Sequence, residues 1–366
     1  MQIGIVGLPL SGKTTIFNAL TSAHAKTGGF LSSVKEPNRA VVKVPDSRIE
    51  KIASMFNPKK VTPAEIEYID VAGMSKSKET EQKGKEKESE IFFHLRGVNA
   101  LAHVIRCFKD ENIIHPSGSI NPLRDMESFD LDLTLLDLEM VEKRLSKVEK
   151  SYLTSKSQEE KREYDLLIKC KNSLEDNRPL RDIEFTAEEA RLLSGYCFLS
   201  FKPILIILNT GEDDLVKCKE IENDFVSKLK HKHSLAKAIC GKLEMEISQL
   251  EEKDRASFIE ELGITEQARD KVISSSYELL GLISFFTANQ NEVRAWAIPS
   301  GTRGLRAAGT VHTDMEKGFI KAEVINYDKL IEAGSMNSAK EKGLVRLEGK
   351  DYIVQDGDLI FFRFNV

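Results

Sequence analysis

The segment Gly7-Leu-Pro-Leu-Ser-Gly12-Lys13-Thr14 restricts the possible folds of this chain more than any other feature. A short apolar run, Ile3 to Val6, breaks at Gly7, and a helical pattern (Ile16, Phe17, Ala19, Leu20) follows Thr15. Strand, glycine-bounded loop and helix start, with Gly-x-x-x-x-Gly-Lys-Thr between them, are the parts of a phosphate-binding loop (P-loop). Backbone N–H groups of the loop and first helical turn wrap phosphates, and the helix dipole adds partial positive charge. Leu10, Ser11, Gly12, Lys13, Thr14 and Thr15 are therefore the expected nucleotide contacts. Lys13 reaches the β- and γ-phosphates, and the Thr14 hydroxyl is placed to ligate Mg²⁺.

The chain downstream supplies further candidates. Ile66-Glu-Tyr-Ile-Asp70 reads as a strand ending in Asp70-Val-Ala-Gly73. The Asp70 carboxylate there suits the Mg²⁺ shell, and the Gly73 amide suits a γ-phosphate. Met74 follows with no glutamine beside it to position a water, and residues 75 to 90 form a Lys/Glu-rich run read as solvated. Leu101 to Phe108 reads as a buried strand in which His103 is expected to be a core histidine. From about residue 128, Leu131, Leu135, Leu138, Leu145, Val148 and Tyr152 recur at helical intervals, and Tyr164, Leu167 and Leu174 repeat the pattern. Two charged helices back to back predict an antiparallel coiled-coil arm over about 128–200, and Thr186-Ala-Glu-Glu189 predicts a capping box.

A buried strand, Pro203 to Leu208, then ends in Asn209-Thr-Gly-Glu212. In a parallel α/β sheet this is where base readout is expected. Asn209 can bridge the phosphate loop and the base. A guanine-specific site needs an aspartate at the place of Glu212 and a lysine at the place of Thr210, so the pattern favours ATP over GTP. After Leu282, short β-like runs (Ile283–Phe286, Val293–Ile298, Ala322–Ile325, Tyr352–Val354, Leu359–Phe364) predict a small mixed-β module with a helix near 327–333.

The 366 residues suffice for two or three domains, and 41% apolar with 30% charged residues describes an ordinary water-soluble chain. A net charge of −5 gives no global push toward nucleic acid. Arg294, Arg303, Arg306, Lys317 and Lys321 form a modest basic cluster in the last module, read as ordinary solvated surface. The five cysteines lack a C-x-x-C pair, which points to a reducing, cytoplasmic setting. No apolar run approaches the roughly 18 residues of a membrane span, so no membrane partner is expected.

The quoted motifs together resemble the Obg-like ATPases of the YchF subfamily. The likeness rests on Gly-Leu-Pro-x-x-Gly-Lys at 7–13, Asp-x-Ala-Gly at 70–73, His-Val-Ile-Arg-Cys-Phe at 103–108 and Asn-x-x-Glu at 209–212. It also rests on the segments 307–320 and 348–358, which look like a TGS domain. The resemblance implies an α/β P-loop domain over 1–280 carrying the helical coiled-coil insertion, and a C-terminal β-grasp (TGS) domain over 281–366. It further implies Mg²⁺-dependent ATP hydrolysis preferred over GTP, association with RNA and the large ribosomal subunit, and a monomer. A hydrophobic residue replaces the catalytic glutamine in that family, as Met74 does here. His115, in Asn112-Ile-Ile-His115, matches the histidine that is a candidate to assist water attack.

Three positions depart from the family pattern. Leu10 stands where an asparagine able to ligate K⁺ is usual. Val34 stands where a switch threonine reaches Mg²⁺, with Ser33 one residue away as a substitute ligand. The second switch is the charged 75–90 run. The leading expectation is a slow ATPase acting as a ribosome-associated regulatory switch. The alternatives are a nucleotide-sensing binding protein with degraded hydrolysis, and a GTP-binding protein.

Overall fold

Ile3, Ile5 and Val6 are buried in β1 (Gln2–Val6), which pairs in parallel with strands on both sides. In the computed structural model, which describes residues 1–22, 37–70, 92–155, 157–229, 234–261 and 267–365, β1 lies near the middle of a six-stranded sheet. The order is β2-β4-β1-β5-β6-β7, formed by Asn38–Lys43, Glu65–Asp70, Gln2–Val6, Ala100–Arg106, Ile204–Asn209 and Ser234–Ile239. The runs β5 and β6 are buried along their whole lengths, as parallel strands covered on both faces require. Contacts divide the described chain into two units: Met1–Ala40 with Glu67–Val272, and Val41–Ile66 with Ile273–Val366.

In the first unit, α1 (Lys13–Thr21) follows the phosphate loop, and a helical hairpin follows β5. Its arms are α3 (Pro122–Ser155) and α4 (Gln158–Glu175), counted after α2 (Ser47–Phe56). The long helix begins at Pro122, six residues before the change in pattern, because proline suits the first helical turn, where an N–H has no partner to lose. Val141, Val148, Leu166, Leu167, Cys170 and Leu174 form the seam of the hairpin. Tyr152 stacks on Tyr164 with ring centroids 6.2 Å apart, and Arg144 pairs with Glu163 at 2.7 Å. Leu131 and Leu135, read as seam positions, are exposed instead. The face turned inward at the root carries Phe129, Leu133, Thr134 and Asp137. Two of those four are polar, so an apolar count selects the wrong face. Asp137 is fully buried and accepts from the backbone amides of Leu199 at 3.0 Å and Ser200 at 2.6 Å. The Thr186/Glu189 capping box closes the start of α5 (Ala187–Ser194).

The second unit is built on a mixed sheet in the order β11-β10-β12-β8-β9-β3, with β11 at Arg346–Glu348 and β3 at Lys60–Thr62. Strands β8 (Leu282–Ala288) and β9 (Glu292–Pro299) form a hairpin, β10 (Phe319–Asn326) pairs antiparallel with β12 (Asp358–Phe364), and β12 lies parallel to β8. The helix Gly304–Val311 sets Ala307 into a core with Phe285, Ile298, Val324 and Ile360, the packing of a β-grasp module. Tyr352–Val354, expected as a strand, contributes only a bridge between Ile353 and Arg303. Tyr352 Oη is drawn instead to Asp358 Oδ2 at 2.7 Å.

The expected boundary at 280/281 does not coincide with the division of contacts, because a piece from early in the chain belongs to the second unit. Strand β3 (Lys60–Thr62) adds in parallel to β9, and Arg48 of α2 pairs with Asp356 at 2.7 Å. In the basic cluster, Arg303 and Arg306 pair with Asp351 and Glu316, and Arg294 lies over Trp296, 4.1 Å from the ring centroid.

Candidate nucleotide-binding site

The carboxyl ends of β1, β4 and β6 bring Lys13, Thr14, Asp70 and Asn209 to one edge of the first sheet, where ligands bind in folds of this class. Gly7 has φ +147° and Gly12 has φ +90°. A Cβ on Gly7 would lie 2.3 Å from the Val104 carbonyl oxygen, and one on Gly12 would lie 2.2 Å from Asn209 Nδ2. Both glycines are therefore demanded by close backbone approach and not by composition.

Lys13 is buried, and its ammonium donates to the carbonyls of Gly7 at 3.1 Å and Leu8 at 2.8 Å. Burial pushes its pKa down to about 8, opposed by the nearby Asp70 carboxylate. The Thr14 hydroxyl donates to Asp70 Oδ2 at 3.0 Å. Burial raises the Asp70 pKa, while the Thr14 hydroxyl and the Lys13 charge draw it back. Asp70 Oδ1 is buried with no donor in hydrogen-bonding geometry.

An orphaned carboxylate oxygen beside a threonine hydroxyl makes a hard, all-oxygen pair. That donor set fits Mg²⁺, which takes one or two protein oxygens and fills its shell with phosphates and water. Among the described residues no cluster of three or more His, Cys, Asp or Glu could hold a metal by itself. Ser33, Val34, Gly73, Met74 and the 75–90 run lie outside the described residues.

Asn209 joins two loops. Its Nδ2 donates to the Ser11 carbonyl at 2.9 Å, and its Oδ1 accepts from the Gly241 amide at 3.0 Å. Its own carbonyl accepts from the amides of Cys107 and Phe108. A Cβ on Gly241, in the base-side segment Cys240-Gly-Lys242 that opens the helix Gly241–Gln249, would lie 2.6 Å from Ile16 Cδ1, so a side chain there would displace Ile16. Asn209 thus touches the phosphate loop, and Gly241 lies in Cys240-Gly-Lys242, the segment after the last strand of this sheet that the sequence suggests as a base-side loop. Glu212 is half exposed and pairs with Lys242 at 2.9 Å. Ser11 is buried, Thr15 follows Thr14 in the first helical turn, and Leu10 projects outward with 48% of its surface exposed at φ 62°.

His115 is buried close to the loop, in a pocket that Leu8 and Pro9 also line. Ser11, His103, Arg106, His115 and Asp125 line one small pocket there. Arg106 was missed as a site residue: its guanidinium donates to the carbonyls of Phe108, Asp110 and Ile113 and so shapes the segment that carries His115. An arginine inside an apolar strand was the available signal. His103 packs on Phe129 in a tilted arrangement with centroids 4.3 Å apart, and burial pushes its pKa down to about 3.

Two family models match: "50S ribosome-binding GTPase" over residues 2–168, and a C-terminal model described as "Protein of unknown function (DUF933)" over 282–365. The chain is 42% identical to the Ribosome-binding ATPase YchF of Bacillus subtilis over the full length of both proteins. It is 35% identical to Obg-like ATPase 1 of Caenorhabditis elegans, covering all of this chain and 92% of that protein. The solved structure of the Schizosaccharomyces pombe YchF GTPase superposes with a TM-score of 0.84 at 27% identity, covering 99% of this chain and 97% of the other. With 35–42% identity to these relatives over the whole of this chain, and with the architecture shared, the chain belongs to the YchF family of Obg-like ATPases.

Proposed function

We propose that the protein binds ATP and hydrolyses it slowly, acting as a switch that associates with the ribosome. The observation that carries this reading is the cluster of Lys13, Thr14 and Asp70 at the phosphate loop, tied by Asn209 to the base-side loop. Lys13 would leave the Gly7 and Leu8 carbonyls for the β- and γ-phosphates. Mg²⁺ would be held by the Thr14 hydroxyl and near Asp70, with Ser33 as a further proposed ligand and Gly73 as a proposed γ-phosphate contact. When bound, the ion supplies charge neutralisation across the β- and γ-phosphates.

Hydrolysis adds a water oxygen to the γ-phosphorus and breaks its bond to the β–γ bridging oxygen. Catalysis of this kind is mostly positioning and electrostatic stabilisation. Lys13 provides charge, and His115 is the proposed group that orders the water. Leu10, Ser11, Gly12 and Thr15 complete the proposed phosphate cradle.

ATP is favoured over GTP because the guanine-reading positions hold Thr210 and Glu212. The Glu212 carboxylate is already engaged by Lys242 rather than free to accept the two guanine N–H groups. The relatives' names support a ribosomal partner. RNA contact, the large subunit as the docking site, a monomeric state and a cytoplasmic location belong to the same proposal. Among the described residues no helix is long and apolar enough to cross a membrane. The proposed functional division remains a nucleotide domain over 1–280, with the arm at about 128–200, and a TGS domain over 281–366.

Parallel ATP and GTP turnover, with and without ribosomes and K⁺, tests the reading. ATP should be hydrolysed faster than GTP, and Lys13→Ala should abolish the activity. GTP turnover equal to or above that of ATP rejects the base assignment, and full activity in Lys13→Ala rejects the site. A second reading, a nucleotide sensor with degraded hydrolysis, draws on Leu10, whose hydrocarbon side chain cannot ligate a cation. It predicts measurable ATP binding with single-turnover hydrolysis no faster than in buffer.

A further inference from the structure

The two segments that Asn209 ties together in the buried layer meet again at the surface. Lys242, the second residue of the helix Gly241–Gln249, sets its Nζ 2.9 Å from Glu212 Oε1. The Gly241 amide on Asn209 Oδ1 fixes the backbone from which Lys242 projects. Both side chains reach water, with 65% of Lys242 and 50% of Glu212 exposed, so the ion pair is open to solvent and to salt.

A lysine in the first turn of a helix sits at the positive end of the helix dipole, where a cation is disfavoured. The acidic residue of that turn, Glu244, gives it no relief: it is buried, and its Oε1 accepts from the Ala268 amide at 2.8 Å. Glu212 therefore faces two positive sources, the Lys242 ammonium and the start of the helix. It also opens the run Glu212-Asp213-Asp214, whose like charges favour a cation beside it. Position 210, where a guanine-specific site needs a lysine, supplies none. Thr210 is buried, with its hydroxyl 3.3 Å from Cys218 Sγ and its amide on the Ile239 carbonyl. The charge that meets Glu212 comes from the opposite segment.

Specificity is a difference of affinities, and penalising the wrong ligand serves it as well as favouring the right one. Guanine offers two adjacent N–H donors that need both oxygens of one carboxylate, whereas adenine has no such pair. To use Glu212, guanine must displace a full cation with neutral donors; adenine binds without that exchange. We infer that Lys242 is a positioning residue for base selectivity, which holds the Glu212 carboxylate and so widens the preference for adenine over guanine. The inference rests on the proposed base site and names a residue on which its selectivity turns. Because an exposed ion pair is screened by salt, the preference itself varies with ionic strength.

Calorimetric titration of the full-length chain with ATP and with GTP, each with Mg²⁺, gives the ratio of the two affinities. In Lys242→Met, which keeps a long stem and removes the charge, the ratio should move toward GTP by about two- to fivefold, the worth of an exposed ion pair. Lys242→Arg restores the cation and should keep the wild-type ratio. In a Glu212→Ala background, Lys242→Met should leave the ratio where Glu212→Ala alone sets it. Raising the salt from about 0.05 to about 0.5 M should move the wild-type ratio toward GTP and leave that of Lys242→Met level. Both nucleotides carry the same triphosphate, so screening of the phosphates cancels from the ratio. A low-salt ratio that is the same in Lys242→Met and wild type, or a gain that persists without Glu212, overturns the inference. Wild-type protein that binds GTP as tightly as ATP rejects the proposed base preference, while the shift between wild type and Lys242→Met still decides the part of Lys242.

Discussion

Asn209 Nδ2 donates to the Ser11 carbonyl at 2.9 Å, across 198 positions of chain. With Oδ1 on the Gly241 amide, one carboxamide sets the spacing between the phosphate loop and the loop on the base side. Alanine at 209 strands a buried carbonyl and a buried N–H, each costing about 1–3 kcal/mol. Asn209→Ala should weaken ATP binding by about tenfold or more and lower the melting temperature. Asn209→Asp should be worse for ATP, since it loses the donor and sets a negative charge beside the phosphates. Calorimetric titration with ATP reads both effects. Affinity equal to wild type in Asn209→Ala would mean that the bridge does not shape the site.

Lys13 carries a second consequence. Burial lowers its pKa to about 8 from the ordinary 10.5, so the side chain loses its charge as pH rises through about 8. Triphosphate placed against it favours the charged form, so binding above that pH takes up a proton. ATP affinity should fall as pH rises from 7 to 9, and the binding heat at pH 8.5 should depend on the buffer's ionisation enthalpy. The sign for folding is separate. Between about 8 and 10.5 the unfolded chain binds more protons at this group, so its share of stability rises with pH across that window. Binding heats independent of buffer at pH 8.5 would contradict the lowered pKa.

Local features of the site were legible and long-range ones were not. Glycines with left-handed φ, a lysine and a threonine at fixed spacing identify the loop, because each answers a local steric or electrostatic demand. Asp70 was legible as a carboxylate closing an apolar strand. The pairing of β3 with β9 was not, since three residues of strand carry no pattern that names a partner 230 positions away. The root of α3 was misread because its buried face spends two positions on Thr134 and Asp137, whose partners lie within the helix and at Leu199 and Ser200. The placing of His115 beside Asp125, ten positions further along, depends on a helix direction that sequence spacing does not encode.

Leu10 is the position where this chain carries backbone strain inside the site. Its φ of 62° is the left-handed region, and its side chain is half exposed, so little packing offsets the cost. An L-residue there costs roughly 1–2 kcal/mol, which glycine avoids at the expense of added freedom in the unfolded chain. Leu10→Gly should therefore be more stable than wild type by about 0.5–1 kcal/mol. Leu10→Asn should lie between them, since asparagine tolerates this conformation better than leucine. Urea unfolding followed by tryptophan fluorescence and circular dichroism checks the order. A Leu10→Gly chain less stable than wild type would show that the leucine makes a contact worth more than its strain.

His103 gives a stability test that is independent of nucleotide. It is buried against Phe129, its Nδ1 has no partner, and burial together with the Arg181 and Lys13 charges lowers its pKa from 6.5 to about 3. Its folded pKa lies below its unfolded one, so between about 3 and 6.5 the unfolded chain binds more protons. Stability from this group is then complete above pH 6.5 and is lost as pH falls, by about 1.4 kcal/mol per pH unit while the ring stays neutral in the fold. His103→Phe keeps an aromatic ring on Phe129 and removes the titration. Urea midpoints at pH 7.5 and pH 5 should differ less in His103→Phe than in wild type, and that gap isolates His103 from the carboxylates that titrate in both proteins. Equal pH sensitivity in the two chains would mean that His103 takes up its proton in the folded state, and that the pocket beneath the phosphate loop tolerates a buried imidazolium.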